Sequence, residues 1–189
     1  LRNSHIQSMF RISDCLKILS KLSYKHSNTV MIARTNGQHS MPITFGFKIS
    51  EWAELILRLE ERFSEIEKRL FILIFGGAVG AMHSFKGKKG ALYNNLCKRL
   101  NLNKVIVPSR SLIDNISEYI LLCSQSGSIV KKIATELSFH MREEIKEVFE
   151  NQDKKIIGSS TMPQKINPKY VYRVIALAKE IESYIFKGV

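Results

Sequence analysis

Proline is scarce in this chain, and this scarcity limits the folds that are open to it. Only Pro42, Pro108, Pro163 and Pro168 interrupt its 189 residues, which leaves long segments without a helix breaker. Proline lacks a backbone N–H and clashes with the preceding helical turn, so its absence permits helices of unusual length. Within these segments apolar residues recur at steps of three and four, the spacing of one helical face. The pattern predicts long helices.

The apolar spacing predicts five helical segments in an all-α bundle of long helices. No stretch shows the sustained alternation typical of a strand, and "TNGQHSMP" reads as a turn or loop. Gly127 is predicted to interrupt the fourth segment. Exposed apolar stripes on such helices favour association between copies. The predicted segments are about Ile6–Thr29, Thr44 toward Phe85, Ala91–Leu100, Ser111–Phe149 and Pro168–Phe186, with the clearest stripe at Ile49, Trp52, Leu55, Ile56, Leu59, Phe63, Ile66, Leu70 and Leu73.

Charge and composition exclude several classes of protein. The net charge is +12, from 29 Lys and Arg against 17 Asp and Glu, which favours an anionic ligand. The basic residues are dispersed among glutamates rather than concentrated in a stripe, so nucleic-acid binding is not expected. No apolar run approaches the roughly 20 residues of a membrane span. Cys15, Cys97 and Cys123 form no metal motif, and we expect them to be reduced, buried thiols of a cytoplasmic protein.

The stretch "GSSTMPQKINPKY" interrupts the helical pattern with small and polar residues. Asn167 followed by Pro168 predicts a helix N-terminus with Asn167 as its N-cap. Such a terminus attracts anions, and Lys165 adds a positive charge. The stretch is therefore either a carboxylate- or phosphate-binding loop or a well-capped turn between helices.

Three stretches together resemble the fumarase/aspartase superfamily. "GSSTMPQKINP" matches every fixed position of its signature, Gly-Ser-Ser-x-Met-Pro-x-Lys-x-Asn-Pro. "ARTNGQHSMPITFGF" is similar to the Gly-Arg-Thr-His-Gly-Gln-His-Ala region of adenylosuccinate lyases and carboxymuconate cycloisomerases, and "GGAVGAMHSF" is similar to the Gly-Ala-Val-Gly segment that follows. The resemblance implies that residues 1–189 form the central helical-bundle domain, with the family's N-terminal and C-terminal domains absent from this stretch.

The resemblance also implies a set of site residues. By match to the signature, Ser159 is the catalytic base, and Ser160, Met162, Lys165 and Asn167 contact substrate. Thr35 and Gln38 match substrate contacts of the second region. In the family this loop closes over the substrate, so we expect it to be mobile when empty.

Two positions depart from the family pattern. Asn36 stands where the family usually has the histidine that acts as general acid or as its electrostatic partner, and asparagine has no proton to give near neutral pH. Tyr172 stands where the family has the glutamate that orients this histidine. His39 is expected to have a structural role, and His5, His26, His83 and His140 are interpreted as helix-face residues.

The implied function is that of a lyase of the adenylosuccinate lyase type, an enzyme of purine biosynthesis. It would cleave a C–N bond and release fumarate from a small anionic succinyl substrate by anti-elimination, without metal or cofactor. In the family the active sites are shared between subunits of a homotetramer, so the isolated chain is expected to be inactive. The alternatives are the argininosuccinate lyase or carboxymuconate cycloisomerase branch, a catalytically silent relative, and, distantly, a basic nucleic-acid binder.

Overall fold

The computed structural model describes residues 1–83, 85, 87, 89–151, 161, 162, 165 and 167–188. The chain divides into two compact units, residues 1–119 and 120–189. The elements are α1 (Arg2–Lys25), β1 (Val30–Thr35), β2 (Gln38–Thr44), α2 (Phe45–Leu70), α3 (Lys89–Leu100), α4 (Asp114–His140), α5 (Tyr170–Ser183) and the single turn α6 (Ile185–Gly188).

The prediction of long helices is confirmed. Helices α1, α2 and α4 have 24, 26 and 27 residues. The predicted α2 stripe forms the core of the first unit, with Ile49, Leu59 and Ile66 each only 1% exposed. Burial of each such side chain contributes about 1.5–3 kcal/mol, so this stripe dominates the stability of the unit.

Helices α1 and α2 approach each other closely at Gly46, in the first turn of α2. A Cβ atom at this position would lie 2.4 Å from the carbonyl oxygen of Ser23 and 2.8 Å from Cα of Ser27. The Ser23 hydroxyl donates to the carbonyl oxygen of Gly46 at 2.8 Å. Glycine therefore permits this contact because any side chain would collide with backbone atoms.

The expectation that the chain has no strands is wrong. Strands β1 and β2 form an antiparallel hairpin, with Val30 opposite Thr44 and Thr35 opposite Gln38. Asn36-Gly37 at its tip is among the strongest short-range signals for a hairpin. The residues on both sides of this turn lack clear alternation of apolar and polar residues, so their pattern does not predict strands.

The expected interruption at Gly127 is also wrong, since α4 continues through it. A Cβ atom there would lie 3.0 Å from the carbonyl oxygen of Ala178 and 3.2 Å from Cγ2 of Ile181. Gly127 thus allows α5 to pack closely on α4 in the second unit. The sequence alone does not show whether a glycine packs against another helix or interrupts its own helix.

Two of the four histidines interpreted as helix-face residues, His5 and His140, lie within helices and are buried there. His5 is fully buried, and its Nε2 atom lies 3.1 Å from Oε1 of Glu67. His140 is 5% exposed, with Nδ1 2.7 Å from Oε2 of Glu147. Of the other two predicted helix-face histidines, His26 follows the last residue of α1 and His83 lies in a turn. The thiols are only partly as expected, since Cys97 is buried and Cys15 is exposed.

Candidate active site

The tip of the hairpin carries the first group of predicted site residues. Asn36 and Gly37 have φ angles of 52° and 76°, the positive values that both central residues of a type I′ turn adopt. Thr35 and Gln38 flank them and are paired directly across the hairpin. All four residues are exposed, so the turn presents Thr35, Asn36 and Gln38 together at one end of the hairpin.

Strand geometry separates His39 from these residues. Directly opposed residues of an antiparallel pair share one face, and neighbours along a strand alternate between faces. Thr35 and Gln38 form one such pair, while Arg34 and His39 form the next. His39 therefore lies on the face opposite to Thr35 and Gln38.

The base of the hairpin is fixed to the start of α2. The Thr44 hydroxyl accepts from the Phe47 N–H at 3.1 Å and so caps the helix. The Phe45 N–H donates to the Thr29 carbonyl at 2.8 Å, and the Gly46 N–H donates to the His26 carbonyl at 2.9 Å. These three hydrogen bonds fix the end of β2 and the start of α2 in position.

The second group of predicted residues lies in the signature loop of the second unit. Lys165 and Met162 are exposed, Asn167 is half-buried, and the Lys165 N–H donates to the Met162 carbonyl at 3.0 Å. Ser159 and Ser160 lie outside the described residues, as does most of the segment for which we expect mobility.

The loop ends at α5, but the predicted cap is wrong. The N-cap is Lys169 rather than Asn167, and its side chain makes no capping bond. Instead, the carboxylate of Glu150 accepts from three successive backbone N–H groups. Its Oε2 atom accepts from Lys169 at 2.8 Å and Tyr170 at 3.1 Å, and Oε1 accepts from Val171 at 2.7 Å.

Glu150 neutralises the anion-attracting helix N-terminus that the sequence predicts after the signature loop. A helix N-terminus carries a partial positive charge that favours an anion. Here the chain supplies that anion itself, so the terminus of α5 is already occupied. Residues 150 and 169 are far apart in sequence, and no local pattern identifies this cap.

A second charged group joins α4 and α5. The Glu182 carboxylate accepts from the Ser128 hydroxyl at 2.7 Å and pairs with the Lys131 ammonium. These hydrogen bonds, first that from Lys131 and then that from Ser128, lower the pKa of Glu182 below its ordinary value. These interactions attach α5, the helix that follows the signature loop, to α4.

Tyr172, at the family's glutamate position, lies in the first turn of α5 and is 58% exposed. The His5–Glu67 and His140–Glu147 pairs involve neither Asn36 nor Tyr172, and each joins a buried histidine to a more exposed carboxylate. Within the described part of the chain, no three His, Cys, Asp or Glu side chains converge as metal ligands. No helix formed by the described residues is both long and apolar enough to cross a membrane.

The described residues thus form a long helical core, a hairpin with an exposed tip and a helix α5 whose N-terminus is capped by Glu150. A family model described as a lyase matches residues 8–181. The chain belongs to this lyase family, the fumarase/aspartase superfamily.

Individual relatives differ in the reaction that their names describe. Adenylosuccinate lyase from Methanothermobacter thermautotrophicus is 33% identical over 187 residues, which are 98% of this chain and 42% of that protein. N-acetyl-S-(2-succino)cysteine lyase from Enterococcus italicus is 38% identical over 150 residues, 79% of this chain and 33% of that protein.

Solved structures show the same fold. The 3-carboxy-cis,cis-muconate lactonizing enzyme from Pseudomonas putida superposes with a TM-score of 0.87 at 26% identity, over 98% of this chain and 40% of that one. A fumarate lyase from a Mesorhizobium species gives a TM-score of 0.86 at 26% identity, with the same coverage. The chain spans less than half the length of each of these relatives.

Proposed function

We propose that this chain is the central domain, residues 1–189, of a lyase that releases fumarate from a small anionic succinyl substrate by anti-elimination. The observation that carries the proposal is the complete signature, Gly158 to Pro168, within a chain that matches the lyase family over residues 8–181. The names of two relatives, adenylosuccinate lyase and N-acetyl-S-(2-succino)cysteine lyase, share a succinyl group. The common substrate feature is therefore the succinyl group, joined to nitrogen in one case and to sulfur in the other.

In this proposal Ser159 is the base that removes a proton next to a substrate carboxylate. The resulting carbanion is stabilised as an enediolate-like dianion, which requires positive charge and hydrogen-bond donors around it. Lys165 and Asn167 supply an ammonium and an amide, and Ser160 and Met162 supply further substrate contacts. Because Glu150 already occupies the N-terminus of α5, the Lys165 ammonium carries the electrostatic attraction for the substrate.

Thr35 and Gln38 supply further substrate contacts from the hairpin. Their exposure supports this role, since both side chains are open to a ligand or to another subunit. We propose that the sites are completed between the subunits of a homotetramer. Exposed apolar side chains on the long helices support such an assembly: Phe10 and Ile18 on α1 are 62% and 59% exposed, and Leu177 on α5 is 50% exposed.

The adenylosuccinate lyase type, which cleaves a C–N bond in purine biosynthesis in the cytoplasm, is the first candidate branch. The elimination itself needs neither metal nor cofactor. A catalytically silent relative is the second candidate, and a specific observation favours it. Both members of the family's His–Glu pair are replaced, by Asn36 and Tyr172.

The test is fumarate release by the protein expressed from its complete reading frame. Adenylosuccinate, argininosuccinate, N-acetyl-S-(2-succinyl)cysteine and carboxymuconolactone are offered in parallel, the last with detection of its ring-opened product. Ser159→Ala is the control variant. Turnover that this variant abolishes supports the proposal and identifies the branch. A folded tetramer that turns over none of the four would support the silent relative.

A further inference from the structure

We propose that Glu150 is a positioning residue of the lyase site, which keeps the signature residues Lys165 and Asn167 in place for the substrate carboxylates. This inference rests on the proposed function, because it assigns how that site is held in order. Glu150 acts through the backbone, since its carboxylate binds the N–H groups of residues 169–171, directly after the signature.

The hydrogen bonds of Glu150 bracket the signature. Residues 158–168 lie entirely between Glu150 and Lys169. The Oε2 atom of Glu150 lies 2.8 Å from the Lys169 nitrogen, although the two residues are 19 positions apart in the sequence. The same carboxylate accepts from the next two N–H groups, at 3.1 and 2.7 Å. One side chain thus sets the position at which the signature enters α5.

The backbone between Asn167 and these hydrogen bonds has little freedom. Pro168 alone separates Asn167 from Lys169. Its ring locks its own φ at about −65° and confines the residue before it to extended conformations. Consecutive Cα atoms lie about 3.8 Å apart, so Asn167 is within about 8 Å of Lys169 and Lys165 is within about 15 Å. The position fixed at Lys169 is therefore passed to Asn167 and, less strictly, to Lys165.

The segment that carries Glu150 is itself fixed to the end of α4. His140 is 5% exposed, and its Nδ1 atom lies 2.7 Å from Oε2 of Glu147. The carbonyl oxygen of His140 accepts from the N–H groups of Glu147 at 3.1 Å and Val148 at 3.3 Å. Glu150 follows closely, so its carboxylate extends from a backbone that α4 already holds. The end of the signature is therefore fixed relative to α4 through Glu150.

Loss of this carboxylate is expected to weaken substrate binding rather than slow the chemical step. Loss of a helix cap shifts the equilibrium for opening the first turn by about 5- to 30-fold. A protein that binds only in its ordered form shows an affinity reduced by the fraction in that form. Bound substrate then restores the order, so the reaction itself proceeds as before. We therefore expect Glu150→Ala to raise KM by about 3- to 30-fold and to change kcat by less than about 2-fold.

A purely electrostatic role for Glu150 predicts the opposite direction. Removal of its negative charge would leave the N-terminus of α5 attractive to the carboxylates of the substrate. KM would then fall in both Glu150→Ala and Glu150→Gln. If Glu150 positions the signature, Glu150→Gln retains one carbonyl acceptor and is expected to restore KM to within about 3-fold of the wild-type value.

Steady-state kinetics test the inference with the protein expressed from its complete reading frame, on whichever of the four substrates the wild type turns over. The inhibition constant of fumarate is measured alongside, because it is an equilibrium constant whereas KM also contains rate constants. Both constants are expected to rise together in Glu150→Ala. Glu182→Ala is the matched control, since it removes a carboxylate that attaches the other end of α5 to α4. It is expected to lower the melting temperature and to leave both constants unchanged.

The inference and the proposed function fail in different ways. A wild-type protein that turns over none of the four substrates refutes both. Turnover by the wild type with KM unchanged or lowered in Glu150→Ala retains the proposed function and overturns the inference. A fall in kcat alone, shared by Glu150→Ala and Glu182→Ala, would show that both changes merely reduce the amount of folded enzyme, and it would also overturn the inference.

Discussion

The capping of α5 by Glu150 leads to a quantitative prediction. Replacing Glu150 by Ala leaves the N–H groups of Lys169, Tyr170 and Val171 without their carboxylate partner. Loss of an N-cap costs about 1–2 kcal/mol, and loss of a negative charge at a helix N-terminus costs a further 0.3–1 kcal/mol or so. We expect a local loss of about 2 kcal/mol in the free energy of opening the first turn.

Backbone hydrogen exchange measures this quantity at the site itself. Each 1.4 kcal/mol corresponds to a factor of ten, so the three amides are expected to exchange about 30-fold faster in Glu150→Ala. Glu150→Gln retains one carbonyl acceptor and is expected to fall between the wild-type protein and the alanine variant. Amides near the C-terminus of α5 are expected to change less, because the effect of a cap declines beyond the first turn.

Glu143→Ala is the matched control for this experiment. The side chain of Glu143 is 88% exposed and makes a 3.5 Å ion pair with Lys146, which is worth little on a surface. Its replacement is expected to leave exchange at residues 169–171 unchanged. The capping argument is refuted if Glu150→Ala shows wild-type exchange there, or if both variants accelerate exchange equally.

Three further predictions concern packing, the turn and pH. Gly127→Ala places a Cβ 3.0 Å from the Ala178 carbonyl oxygen and is expected to cost about 1–3 kcal/mol. Gly90→Ala, at a helical position with open space, is expected to gain up to about 1 kcal/mol in urea unfolding. Equal effects of these two changes would contradict the close packing of α4 and α5. Asn36→Ala is expected to cost about 1–2 kcal/mol because of its φ of 52°, whereas Asn36→Gly is expected to be nearly neutral. An equal loss in both Asn36 variants would show that the strain argument is wrong. The pKa of Glu182 is lowered in the folded protein, so its stabilisation is present above the unfolded carboxyl pKa of about 4.3 and is lost as the pH falls through the folded value. The difference in melting temperature between wild type and Glu182→Gln is therefore expected to be largest near neutral pH and to vanish in acid, and a difference that grows in acid would count against this.

Local sequence patterns are enough to predict the helical fold and the family. Long segments without proline and an apolar stripe at helical spacing depend only on residues within a few positions of one another. The sequence therefore predicts the apolar stripe from Ile49 to Leu70. The signature from Gly158 to Pro168 is equally local, and so is the N-cap at Thr44. The Asn36-Gly37 pair is also a local signal for the hairpin turn, because the turn is defined by two adjacent residues with positive φ.

Contacts between segments that are distant in sequence complete these elements. Gly127 remains helical because α5 passes close to it, and the start of α5 is capped by a carboxylate 19 residues earlier in the chain. His5 is buried because Phe63, Phe71 and Tyr119 surround it. In each case the deciding partner lies far away in sequence. Periodicity and capping rules describe neighbours along the chain, whereas contacts between distant segments exist only once the helices have packed.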